Sequence, residues 1–330
     1  MGSEEWWDTD LAFHDRPVCY SYSMKMNDFT AIDFKTNAAV KITLLGIGGA
    51  GLNTVSRLHD TLNNVNTVSI CTDEQLLSKS QAKTRLLIGR ETTNGRGSGG
   101  DPKIGEKAAR ESQAAIRGVI KNADLVFLVA GLAGGGAGAC YVAAQIAKEL
   151  GIITIAFLYL PFDFEGFKKV SKARQAGEKI NGVVDACLFI QNDKLFQVVS
   201  QKTLMKAAYD LIYGNVEYFI NSISDMINAD NKSSLECIFR NAGKLFFGSG
   251  KSSKKEGPLT ALTRALNNPL IDGSIAQAAN IILSVKGKKI SSDSVDIVVK
   301  GIKEINKTGV ILHDVSIDEN SDFIVSVIAV

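Results

Sequence analysis

The sequence is poor in residues that would announce several function classes. Its three histidines, His14, His59 and His313, are too scattered for a zinc motif. The five cysteines, Cys19, Cys71, Cys140, Cys187 and Cys237, are odd in number and widely spaced, and four lie in apolar runs. They read as buried thiols of a reduced compartment, not as bridges or a metal site. A net charge of only +2 excludes nucleic-acid binding through a broad basic field. No apolar run reaches the roughly 18 residues of a membrane span, and the N-terminus opens on Glu4 and Glu5 without an apolar signal core. The expectation is a cytoplasmic protein that reaches a membrane only through a partner. Proline is scarce as well, with five residues against thirty glycines. Low-complexity sequence would bring proline and serine along, whereas these glycines cluster inside apolar stretches.

What is present points to an α/β chain. At roughly 100–200 residues per domain, 330 residues suggest two domains. Residues 1–38 show no period; they are either a poorly ordered tail or an arm whose Trp6, Trp7, Tyr20 and Tyr22 dock on a neighbour. From residue 40, apolar runs alternate with helical patterns. The runs are Val40–Leu45, Thr67–Cys71, Arg85–Ile88, Leu125–Ala130, Ile152–Leu158 and Ala186–Ile190. They are short and rich in β-branched residues, as strands buried on both faces should be. The intervening helical patterns are Asn53–Asn63, Gly105–Asn122, Tyr141–Leu150 and Gly166–Ile180. This alternation predicts a doubly wound, Rossmann-like parallel sheet. A long helix over 204–227 follows, then a smaller α+β domain over 228–330; the nucleotide-binding domain is expected over 39–203. Gly248–Gly257 reads as a flexible basic loop that lacks full phosphate-loop spacing.

Three glycine-rich loops carry the chemistry. Gly46–Gly51 follows the first strand, Gly95–Pro102 precedes the helix at Gly105, and Gly131–Gly138 follows the fourth strand. Glycine lets backbone N–H groups approach an anion, and the first and third loops also bring a helix N-terminus to it. One such loop fits a dinucleotide site or a plain tight turn equally well. Three at adjacent strand ends suit a triphosphate cage, and no His or Lys constellation of a dehydrogenase accompanies them. A side chain at Gly135 is expected to occupy the phosphate path and leave the fold intact.

From Val40 to Val330 the chain resembles the FtsZ/tubulin superfamily, and FtsZ within it. The resemblance is carried by KITLLGIGGAGLNTVSRL (41–58), CTDEQLL (71–77), GRGSGGDPKIGEKAARES (95–112), ADLVFLVAGLAGGGAGA (123–139), PFDFEGFKK (161–169), QNDKLF (191–196) and GKLFFGSG (243–250). It implies a GTP-binding domain, GTP or GDP with Mg²⁺, and head-to-tail filaments of this chain or with a conventional FtsZ. It places Gly48, Gly49, Ala50, Gly51 and Asn53 in the first nucleotide loop. Thr72 and Asp73 would face the terminal phosphate, with Asp73 toward Mg²⁺. Gly97, Ser98, Gly99 and Gly100 would sense the γ-phosphate. Gly134, Gly135, Gly136, Ala137 and Gly138 form the signature loop, and Pro161, Glu165, Lys169 and Asn192 would hold ribose or base. Tyr209 would stack on the guanine.

The chain also departs from the family pattern. The signature GGGTGTG reads AGGGAGA, without either threonine, and Lys169 stands for the usual Arg. Cys71 replaces the usual Asn. The Asn-Asp pair that reads guanine is replaced by Tyr213 and Gly214, with Asn215 the nearest substitute. In the family, an N-x-D-x-x-D loop enters the next subunit's site and supplies carboxylates for hydrolysis. Here that loop is Asn228–Ser233: Asp230 remains, either as a catalytic carboxylate in trans or as a helix cap, and Ser233 stands for the second Asp. Weakened hydrolysis is therefore expected. The sequence ends at Val330, so the usual C-terminal adaptor binding is not expected. The alternative function is a non-hydrolysing, nucleotide-bound regulator of a conventional FtsZ filament.

Overall fold

A computed structural model describes residues 40–330 except 63, 200–201, 227–231, 269 and 271–272. The chain opens with strand β1 (Ile42–Ile47), helix α1 (Gly48–Leu58), β2 (Val65–Cys71), the short α2 (Glu74–Ser78), β3 (Thr84–Leu87) and α3 (Arg90–Thr93). Helices α4 (Pro102–Glu111) and α5 (Gln113–Ile120) lead to β4 (Leu125–Gly131), α6 (Gly135–Glu149), β5 (Ile153–Leu160), α7 (Phe167–Asn181) and β6 (Ala186–Gln191). After α8 (Leu195–Val198) comes the long α9 (Met205–Met226), then α10 (Lys232–Phe239) and β7 (Gly243–Lys244). Last are β8 (Phe246–Ser252), α11 (Pro258–Leu266), β9 (Asn280–Gly287), α12 (Ser292–Ile305), β10 (Val310–Ile317) and β11 (Phe323–Ala329).

The first sheet has the order β3-β2-β1-β4-β5-β6-β7, with every pair parallel. β1, β4 and β5 are buried almost throughout, which explains why they read as unbroken apolar runs. The chain winds outward from β1 to β3, then returns to β4 on the other side of β1. Strand order thus reverses between β1 and β4, and such a switch point opens a crevice at the carboxyl ends of the two strands. Both strands end in glycine loops there.

The second sheet, β10-β9-β11-β8, is mixed: β10 and β9 are parallel, the other pairs antiparallel. α9 lies between the two sheets. Its buried positions Ala208, Ile212, Val216, Phe219 and Ile223 recur at helical spacing. Phe219 meets Phe127 and Phe157 of the first sheet edge-on at 6.1 and 5.1 Å, and Phe247 of the second at 5.2 Å. One ring therefore joins the two sheets.

Two sequence expectations are corrected here. Gly248–Ser252 is the body of strand β8, not a loop. Its glycines are required because α11 lies directly on it: a Cβ at Gly248 would come 1.8 Å from the Ala265 carbonyl oxygen, and one at Gly250 2.2 Å from that of Ala261. Cys71, Cys140 and Cys187 are buried free thiols. Cys237 is only half-buried on α10 and not sealed in a core. No helix among the described residues is long and apolar enough to cross a membrane.

Candidate nucleotide site

A cleft of about 940 Å³ lies at the switch point. From the β1–α1 turn it takes Gly48, Gly49 and Ala50; from the end of β2, Cys71, Thr72 and Asp73; from the following loop, Gly97, Ser98, Gly99 and Gly100; and from the β4–α6 turn, Gly134, Gly135 and Gly136. Lys169 also borders it. These positions, far apart in sequence, come together because each follows a strand of the same parallel sheet.

The cleft offers backbone donors. α1 and α6 begin at Gly48 and Gly135, and neither N-cap residue, Ile47 or Gly134, makes a side-chain capping hydrogen bond. Helix N-termini carry unpaired N–H groups and a partial positive charge, so two uncapped ends in one cleft favour an anion. Contrast α4, where Asp101 accepts from the Lys103 N–H at 2.8 Å. Gly99 and Gly100 are consecutive left-handed residues, φ 60° and 78°, a conformation that glycine adopts without steric cost. Ideal Cβ atoms at Gly49, Gly99 and Gly100 would meet nothing within 4 Å, so these residues border open space.

Gly135 behaves differently from the expectation. A Cβ there would come 1.9 Å from Ser98 Oγ and 3.3 Å from the Asp101 carbonyl oxygen. Any side chain would displace the Ser98 loop, so Gly135 serves loop packing as well as the cleft. Gly51 and Gly138 do not line the cleft. Their Cβ atoms would lie 2.4 Å from Val129 O and 1.9 Å from Pro102 O, so they allow α1 to approach β4 and α6 to approach α4. Asn53 is exposed on α1, and Ala137 is buried in α6, its N–H on the Gly134 carbonyl at 3.0 Å.

Asp73 caps α2, its Oδ1 accepting the Leu76 N–H at 2.9 Å. Its other oxygen faces Gly97, whose Cβ would come within 3.3 Å. One carboxylate oxygen at the cleft suits Mg²⁺, which takes most of its ligands from phosphate and water. Burial pushes the Cys71 thiol up, so it borders the cleft in its neutral form.

A second group of residues lies beside the cleft. Glu165 accepts the Phe162 N–H at 2.9 Å and pairs with Lys169. Pro161 lines a smaller cavity of about 140 Å³ together with Asp163, Arg174 and Asp193. Desolvation, opposed by the Asp163 N–H, holds the Asp193 carboxyl above its usual range. Asn192 is buried and, among the described residues, its Oδ1 has no hydrogen-bond partner, which marks a place where a ligand or water completes the bonding. Tyr209 packs edge-on against Phe162 at 6.4 Å and stacks with Tyr213. Asn215, the substitute considered for reading guanine, is committed elsewhere: it donates to the Leu211 carbonyl and accepts from Asn268 Nδ2 at 2.7 Å. Asp230 lies outside the described residues. Ser233 is in the first turn of α10.

Sequence reasoning missed Arg96, Lys168 and Lys172, which also line the cleft. The signal for the two lysines was a lysine cluster at a helix start with no acidic residue in its first turn; Arg96 sits inside the second glycine-rich loop.

Residues 41–200 match the Tubulin/FtsZ family, GTPase domain. The chain is 33% identical over 312 residues to Cell division protein FtsZ 1 of Methanocaldococcus jannaschii, covering 92% of this chain and 85% of that protein. Among solved structures, an empty FtsZ dimer from M. jannaschii superposes with a TM-score of 0.80 at 33% identity, over 88% of each chain. A protofilament of CetZ2 from Haloferax volcanii, bound to GTPγS, shares the fold at 21% identity, TM-score 0.73, over 88% of this chain and 92% of that one.

Proposed function

Because the chain belongs to the tubulin/FtsZ family, whose GTPase domain it carries, we propose that it is an FtsZ-like protein that binds GTP at the β1/β4 switch point and assembles head to tail with weakened hydrolysis. The observation that supports this reading most directly is the convergence of two uncapped helix N-termini and the Gly97–Gly100 loop on one cleft. The first-turn amides of α1 and α6 would receive the phosphates. Asp73 would hold Mg²⁺, which neutralises developing charge on phosphate oxygens. Tyr209 would stack on the base, and Asn192, with its unpaired Oδ1, would bond the base or ribose.

By the family resemblance, hydrolysis would depend on carboxylates from a neighbouring copy. Asp230 is the carboxylate this chain brings; Ser233 is neutral at the second position and cannot act as an anionic base. Filaments would then persist with GTP bound. The same substitution supports a second reading, in which the nucleotide-loaded protein joins a conventional FtsZ filament without turning over. Sedimentation with GTP separates the two: the chain alone should pellet in the first case, and only together with an FtsZ in the second.

A further inference from the structure

α7 carries an arrangement of charge that folding alone does not explain. Lys168 and Lys169 lie in its first turn and Lys172 one turn later, and all three line the cleft. No acidic residue occupies that first turn, and the N-cap, Gly166, makes no side-chain capping bond. The positive end of the helix dipole therefore coincides with three ammonium groups. Lys168 and Lys172 are also an i,i+4 pair of like charges, which repel. Lys169 is paired with Glu165, but among the described residues no carboxylate lies within ion-pair distance of Lys168 or Lys172. Arg96 also lines the cleft, and among the described residues no carboxylate lies within ion-pair distance of it. The cleft carboxylates, Asp73 and Asp101, each spend an oxygen capping a helix. In the free protein this arrangement is unfavourable, and an anion in the cleft relieves it.

Building on the nucleotide reading above, we propose that Lys168 and Lys172 contact the terminal phosphate of the bound nucleotide and set the preference for triphosphate over diphosphate. The signature loop has lost two threonine hydroxyls; two flexible ammonium groups from α7 supply charge-assisted donors in their place. Charge count distinguishes the nucleotides, because the triphosphate presents an additional anionic group. Discrimination by the lysines is then a matter of reach and charge, independent of the base.

The test is equilibrium titration of the full chain with GTP and with GDP, each with Mg²⁺, for the wild type, a Lys168→Gln/Lys172→Gln variant and a Lys168→Arg/Lys172→Arg variant. The glutamine pair should lose about tenfold or more in GTP affinity and at most about threefold in GDP affinity, as expected for loss of charge-assisted bonds to one phosphate. The arginine pair should keep the GTP/GDP ratio. Without nucleotide, the glutamine pair should melt no lower than the wild type, because a repulsive pair has been removed. Equal losses for GTP and GDP, no loss for either, or a lower melting temperature would overturn the assignment. A wild type that binds neither nucleotide would overturn the underlying nucleotide reading as well.

Discussion

Tyr213 lies over Tyr209, with ring centroids 6.2 Å apart and planes 19° from parallel. The position where the family resemblance puts a polar reader of guanine thus holds a second aromatic ring. Burial, then the neighbouring Tyr209 and Asp210, push the Tyr213 phenol up to about 12, so it stays neutral at physiological pH. Asn215 is tied to Asn268. A base bound at Tyr209, as proposed, would therefore meet stacking and little hydrogen-bond readout from α9. Tyr209→Ala should weaken nucleotide binding by about 0.5–1.5 kcal/mol beyond lost burial. Preference for GTP over ATP should stay below about a thousandfold, because strong discrimination needs polar groups that the wrong base leaves unpaired. Competition titration measures both.

The glycine geometry separates two substitutions that look alike in sequence. Gly49 opens onto the cleft, and a Cβ there meets nothing within 4 Å. Gly49→Leu should abolish nucleotide binding without lowering the melting temperature of the empty protein. Gly135→Leu should do both, since it drives into Ser98; overpacking of this kind costs about 1–3 kcal/mol. Paired binding and thermal unfolding curves check the contrast.

Turnover should be slow. Losing one positioned general base typically costs about 10²–10⁴ in rate, and Ser233 provides no such base. Ser233→Asp should raise phosphate release at protein concentrations where assembly occurs, while leaving GTP affinity unchanged. Wild-type turnover equal to that of a conventional FtsZ would contradict this account.

The second sheet offers a pH-dependent contact away from the site. Arg264, with help from the Ser253 N–H and hydroxyl, pulls the Glu256 carboxyl down to about 2. A lowered folded-state value means that the stabilisation is present above the ordinary carboxylate range and is lost as pH falls through about 2. Glu256→Gln should therefore lower the melting temperature at pH 7 and change it little at pH 2. The difference should be small and sensitive to salt, because the pair is exposed.

Much of the fold was legible because β1, β4 and β5 are buried on both faces and leave unbroken apolar runs. Helix starts were not. Gly48–Gly51 and Gly135–Gly138 read as loops, since glycine is a poor helix former, yet they are the first turns of α1 and α6. Gly48, Gly49, Gly135 and Gly136 border the cleft because the helices begin there. The single helix expected over Gly105–Asn122 is two, broken at Ser112, whose hydroxyl accepts the Gly89 N–H at 2.9 Å. That partner is 23 residues earlier in the chain, so no local pattern announced it. Lys168 and Lys172 of α7 were overlooked for a similar reason: their meaning depends on the helix bordering the cleft.

The central claim is that the β1/β4 cleft holds a guanine nucleotide. Chromatography of what is released when the purified protein is denatured tests it most directly. GTP or GDP should be recovered from the wild type and be absent from Gly49→Leu prepared in parallel. Recovery of no guanine nucleotide from the wild type, or of equal amounts from the variant, would contradict it.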